Sequence, residues 1–107
     1  NNKDRDLSKH DAKRIIQNAV NDSSKVLFTR HGEERKSQRS ITSDDVMRVL
    51  RNGFIEETPF FDNSKGTWLC SVIGSSSGRK IKVVTAIQLM DPETQSYLII
   101  VTSFEIN

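Results

Sequence analysis

The sequence predicts an α+β domain, with N-terminal helices packed on one face of an antiparallel sheet of about four to five strands. Three observations predict it. Helical 3.6-residue spacing of apolar side chains is confined to residues 8–52. After Gly53 the period changes to that of strands, punctuated by Pro, Gly, Asn, Asp and Ser. The last three strand candidates are consecutive and joined by short turns, the pattern of an antiparallel sheet with helices segregated to one side. With 107 residues the chain fits one domain. Residues 1–7 read as a loose leader, 8–52 as a mainly helical half and 53–107 as the sheet half.

Ser8 is placed to cap a first helix, with Asp11 at the capping-box position. Ala12, Ile15, Ile16, Ala19 and Val20 supply its apolar stripe. Asn21–Ser24 stops it, and Lys25–Thr29, rich in β-branched and aromatic residues, is a short strand. A mostly charged helix is expected from Arg30 or His31 to Gln38. Thr42 caps the next helix, Asp45 completes its capping box, and Ile41 with Val46 forms a hydrophobic staple. Asp44 and Asp45 sit at its positive N-terminal end. Gly53 is expected to end it in the left-handed conformation.

Phe54–Phe60 is a strand broken by Pro59 and so belongs at an edge. Thr67–Ile73, Arg79–Leu89 and Tyr97–Glu105 are the remaining strands. Asp62–Gly66, Gly74–Gly78 and Asp91–Ser96 are the turns between them. The run Leu98–Val101 is continuously apolar, as in a central strand.

Composition narrows the function classes. No apolar run of ~18 residues is present, so no membrane-spanning helix and no membrane partner are expected. The polar start, Asn1–Asp11, has no signal-peptide core. The absent initiator Met reads as a fragment, a processed chain or the tail of a larger protein. A single cysteine, Cys70, excludes an internal disulfide. Two histidines without HxxxH or CxxC spacing argue against zinc. No metal and no cofactor are expected. The charge is uneven: 12 Lys and Arg against 8 Asp and Glu in residues 1–52, but 4 against 6 in residues 53–107. A basic half points to a phosphate-bearing partner, unless it is only the solvated face of charged helices.

The most informative stretch runs from His31 to Gly53. On a helix, residues four apart differ by ~40°, so His31, Arg35 and Arg39 form one stripe. A histidine exchanges a proton near neutral pH. Arginines bind phosphate oxygens through paired hydrogen bonds. Metal-free RNA cleavage needs these roles: a base for the 2′-OH, an acid for the leaving oxygen, and cations for the phosphorane charge. Glu105, Lys82 or a hydroxyl at Thr85, Thr102 or Ser103 is the candidate for the remaining role, with Lys80 and Lys82 extending the cationic surface. The bland reading stands beside it: His31 as a cap and the two arginines as fold-stabilising ion pairs. Cys70 is expected to be a buried small hydrophobe and Trp68 a core residue.

With His31, Arg35, Arg39, Ile41, Val46, Leu50 and Gly53, the chain resembles a bacterial domain-of-unknown-function family with the pattern H-A-x-x-R-M-x-x-R-x-I. Gly32 and Lys36 stand where that family usually has Ala and Met. The family is similar to the barnase/colicin/RelE group of small ribonuclease toxins, and the order of elements resembles the MqsR-like toxins. Trp68 and the final Val101, Ser103, Phe104 pattern match that layout. The catalytic Lys and Tyr of MqsR-like enzymes fall on Glu105 and Lys80 and are therefore not kept.

The resemblance implies a metal-independent endoribonuclease acting on RNA, neutralised by a cognate antitoxin or immunity protein. The resemblance carries over at most the fold and the substrate class; the residues' own chemistry gives the candidate catalytic set as His31, Arg35, Arg39 and Glu105, with Lys80, Lys82, Thr85 and Ser103 as candidates to bind substrate. The enzyme's site of action would be cytoplasmic, either as a free toxin or as the C-terminal toxic domain of a secreted protein. The alternatives are a non-catalytic RNA- or protein-binding module of the same fold, and a structural or regulatory protein without a nucleic-acid role.

Overall fold

A computed structural model of the chain describes residues 7–28, 41–91, 93 and 96–106. The charged helix expected over 30–38 and most of the expected leader lie outside those residues. Ser8 has extended backbone, and its hydroxyl accepts from the Asp11 N–H at 3.0 Å. That bond satisfies one of the orphan donors of helix α1 (Lys9–Asn21). The Asp11 carboxylate does not close the box but lies 3.5 Å from Arg14. Ala12, Ile15, Ile16, Ala19 and Val20 are buried, the five residues the spacing selects.

Helix α2 (Ser43–Asn52) carries the full capping box: Thr42 and Asp45 bond reciprocally. Ile41 and Val46, the expected staple, are both buried in the core. Gly53 corrects an expectation. Its φ of −77° is not left-handed, so conformational freedom is not why glycine stands there. A Cβ would lie 2.5 Å from the Ile73 carbonyl oxygen and 2.6 Å from that of Val49. Close approach of α2's end to the sheet requires the missing side chain.

The described residues form a sheet of six strands: β1 (Val26–Phe28), β2 (Phe54–Ile55), β3 (Phe60–Asp62), β4 (Thr67–Ser76), β5 (Arg79–Asp91) and β6 (Ser96–Ile106). The order is β1-β6-β5-β4-β2, with β3 also pairing β4. Glu56 and Pro59 fall between the two short edge strands, as the proline predicts. The sheet is mixed, not wholly antiparallel: β1 runs parallel to β6, Phe28 opposite Val101. A parallel pair needs a long crossover, and everything from residue 29 to β6 supplies it.

The β4–β5 hairpin is tighter than the expected five-residue loop. The strands extend to Ser76 and Arg79, leaving only Ser77 and Gly78, with φ of 55° and 76°. Two positive φ values define the type I′ turn, whose twist matches the flanking strands.

Period-two alternation divides the sheet into two faces. Ile81, Val83, Thr85 and Ile87 of β5 are buried, with Val72, Cys70 and Trp68 of β4 and Ile99, Val101 and Ser103 of β6 beside them. Both helices cover this face, completing one core. Trp68 lies in that core, its ring 5.1 Å from Phe61 in an edge-on contact. The opposite face carries Leu69, Lys82, Val84, Ala86, Gln88 and Ile100, none fully buried, together with Ile73, which pairs opposite Lys82 and is buried.

Candidate functional site

Three elements meet at one end of the helix-covered face: the N-terminus of α2, the β4–β5 turn and the C-terminal end of β6. Asp45, third residue of α2 and 5% exposed, is their hub. Its Oδ1 accepts from the Ser76 hydroxyl at 2.6 Å, and its Oδ2 from the Thr42 N–H at 3.0 Å and Arg79 Nη2 at 3.3 Å. Ser76 in turn accepts from Arg48 at 2.7 Å. The Ser76 hydroxyl first, then the Thr42 N–H and hydroxyl and the Arg79 charge, lower the Asp45 pKa to about 2 against the opposing effect of burial. Arg79 bridges onward: its Nη1 lies 3.9 Å from Glu105 Oε1. The resulting chain is carboxylate, guanidinium, carboxylate, with both Arg79 and Glu105 about one-fifth exposed.

The described flanks of the His/Arg segment are Phe28 and Ile41. β1 runs parallel to β6, so at Phe28, opposite Val101, the chain is heading in the direction of Glu105. It is next described at Ile41, adjoining Thr42 and the Asp45 hub. Ile41 thus adjoins the Glu105 end, whereas Phe28 stands opposite the middle of β6, four residues before Glu105. His31, Arg35 and Arg39 themselves lie outside the described residues.

The other expected site residues do not converge. Glu105, Ser103 and Thr85 share the helix-covered face, but Lys80 and Lys82, an odd number of residues away on the pleat, lie on the opposite one. Lys82 is 3.5 Å from Glu56 and cannot join Glu105 in one site. Thr85 cannot touch substrate: it is wholly enclosed, donates to the Cys70 carbonyl at 3.0 Å and contacts the Cys70 sulfur at 3.0 Å. Ser103 is only 7% exposed, close beneath Glu105 on the same strand face. Cys70 is a buried hydrophobe, its thiol pKa pushed up by burial, which suits packing and not nucleophilic attack.

Sequence reasoning missed Arg79, Ser76 and the second role of Asp45 beyond its cap. A two-residue turn at Ser77–Gly78 would have set Ser76 opposite Arg79, and strand parity would have separated Lys82 from Glu105. Among the described residues no group of three or more His, Cys, Asp and Glu side chains is arranged to hold a metal ion. No helix among them is long and apolar enough to cross a membrane.

A family model for a domain of unknown function, DUF4258, matches residues 28–103. The chain belongs to the DUF4258 family. The DUF4258 match begins at the last residue of β1 and ends at Ser103. It spans His31, Arg35, Arg39 and the Asp45–Arg79 pair, and stops two residues short of Glu105. Helix α1 lies outside it. No curated protein and no solved structure matches the chain.

Proposed function

We propose that the protein is a metal-independent endoribonuclease of the toxin type, related to the RelE and MqsR-like enzymes. The residues that would carry its chemistry are His31, Arg35, Arg39 and Glu105. The carrying observation is that the chain leaves β1 at Phe28 running in the direction of Glu105 and is next described at Ile41, beside the Asp45–Arg79–Glu105 chain of charges. In this reading His31 and Glu105 form the acid–base pair. One takes the 2′-OH proton as O2′ bonds to phosphorus, and the other protonates the O5′ leaving group as the P–O5′ bond breaks. Arg35 and Arg39 stabilise the charge on the phosphorane. Arg79 fixes Glu105. A cognate antitoxin or immunity protein would neutralise the enzyme by covering the Glu105 end of the sheet, and the site of action would be cytoplasmic.

A non-catalytic RNA- or protein-binding module is the second reading. It is favoured by the compensation of Arg79 by two carboxylates and of Lys82 by Glu56, which leaves little surplus positive charge on the sheet.

Incubation of the purified chain with total RNA in EDTA decides between them. The nuclease reading expects cleavage that falls roughly 10²–10⁴-fold in His31→Ala and in Glu105→Gln, with unchanged circular dichroism. Cleavage at the wild-type rate by Glu105→Gln would remove this end of the sheet from the mechanism. Salt-sensitive RNA retention without cleavage would establish the binding module.

A further inference from the structure

We propose that the open face of the sheet, opposite the helices, is the contact surface of a homodimer in which two copies of this chain pack sheet against sheet. The inference is independent of the ribonuclease reading. Its first ground is the pattern of β6. A strand with one wet face alternates apolar and polar residues, whereas one covered on both faces reads as a continuous apolar run. Leu98, Ile99, Ile100 and Val101 are such a run. Ile99 and Val101 fill the core, while Leu98 and Ile100 stand on the open face, half-buried. Among the described residues no element covers them.

Shape is the second ground. Two grooves cross this face and share a ridge made by Leu69 and Val84. Phe60 borders one of them, beside Leu69 and Val84 on one side and Glu56 and Glu57 on the other, and is 68% exposed. Ridge beside groove is the relief that a two-fold axis can make self-complementary, because each copy offers both halves of the fit.

Charge selects the occupant. The face and its margin carry Lys80, Lys82 and Lys65 together with Glu56, Glu57 and Asp62. Equal numbers of each sign suit a surface that meets its own copy. They suit a polyanion poorly, since nucleic-acid surfaces are strongly positive. The area suits a weak, concentration-dependent pair. The three long strands, of 10, 13 and 11 residues, rising ~3.3 Å per residue and set ~4.8 Å apart, span a face of roughly 540 Å². A standard interface takes ~800 Å² from each partner.

Sedimentation of the 107-residue chain at about 100 µM and about 1 µM, on either side of a typical micromolar Kd, tests the proposal. The expected species at the higher concentration has twice the 12.2 kDa chain mass, dissociating on dilution. Ala86→Arg, in the middle of the face, and Phe60→Asp, at its margin, are expected to give monomers. Phe60→Asp changes a side chain already in solvent, so it retains the fold even where Ala86→Arg does not. A 12.2 kDa species at the higher concentration, or a dimer indifferent to both substitutions, overturns the proposal. So does a monomer whose Leu98 and Ile100 amide resonances move only on addition of an RNA oligonucleotide, which would assign the face to RNA.

Discussion

Protonating Asp45 removes the charge on which Ser76, Thr42 and Arg79 converge. Its carboxyl titrates at about 2 in the fold against 3.8 in an unfolded chain. The folded state therefore binds the proton more weakly, and the network stabilises the fold where Asp45 is ionised. That contribution, on the order of 2 kcal/mol, is fully present above pH ~4 and is lost as pH falls through 4 towards 2. Asp45→Asn is expected to cost about 2–3 kcal/mol at neutral pH and to flatten the acid limb of stability measured by urea unfolding. An acid limb identical in variant and wild type would show that other carboxylates carry it. Gly53 obeys a different constraint, that of space. Its φ suits alanine, but a Cβ would press on two backbone carbonyl oxygens that hold α2's last turn and β4. Gly53→Ala is expected to lose about 2–4 kcal/mol, in the range of overpacked sites. A loss below about 0.5 kcal/mol in urea unfolding would mean that the helix end shifts freely.

At the scale of the element, legibility tracked how local the cause is. The α2 cap needs only Thr42 and Asp45 three residues apart, so both the bond and the buried Ile41 and Val46 follow from sequence. The five buried residues of α1 follow from spacing alone. Parallel pairing of β1 with β6 joins residues more than 70 positions apart, and nothing near Val26 encodes its direction. The candidate site failed for a related reason. Glu105 was legible as a charged residue at the end of a strand, but its partner Arg79 is set by the length of the turn at Ser77–Gly78. Reading Gly74–Gly78 as loop hid both that register and the face on which Lys82 lies. The turn itself carries a prediction. Type I′ requires positive φ at both central positions and prefers Asn-Gly, yet Ser77 occupies the first at 55°. Ser77→Asn is therefore expected to stabilise by roughly 0.5 kcal/mol, raising Tm by a few degrees in a domain of this size. Its own bond to Asp45 is long, 3.4 Å, and contributes little to the balance. An unchanged or lower Tm would show that this contact outweighs the backbone preference.

The molecule as a whole is asymmetric about its sheet: helices and an enclosed core on one face, and on the other aliphatic side chains that, Ile73 apart, are half-exposed. Ile99 and Ile100 are adjacent and chemically identical, and they sample these two environments. Ile99 pairs with Val26 on one side and Ile87 on the other and is wholly buried. Truncating it opens a cavity in a core that already joins the N-terminal half to the final strand. Ile99→Ala is expected to cost about 2–5 kcal/mol, a large part of the ~5–15 kcal/mol that holds such a domain together, and the loss does not depend on protein concentration. Ile100 faces Ala86 on the open side. In a lone copy its truncation removes a half-exposed side chain and costs about 1 kcal/mol or less. Where two copies join through that face, association adds to stability by mass action, so the penalty of Ile100→Ala grows with concentration. Thermal unfolding of both variants across a hundredfold concentration range separates the cases. A concentration-dependent gap for Ile100→Ala beside a constant one for Ile99→Ala is the expected outcome. Parallel, constant gaps would show that the aliphatic face of the sheet contributes nothing beyond the single copy.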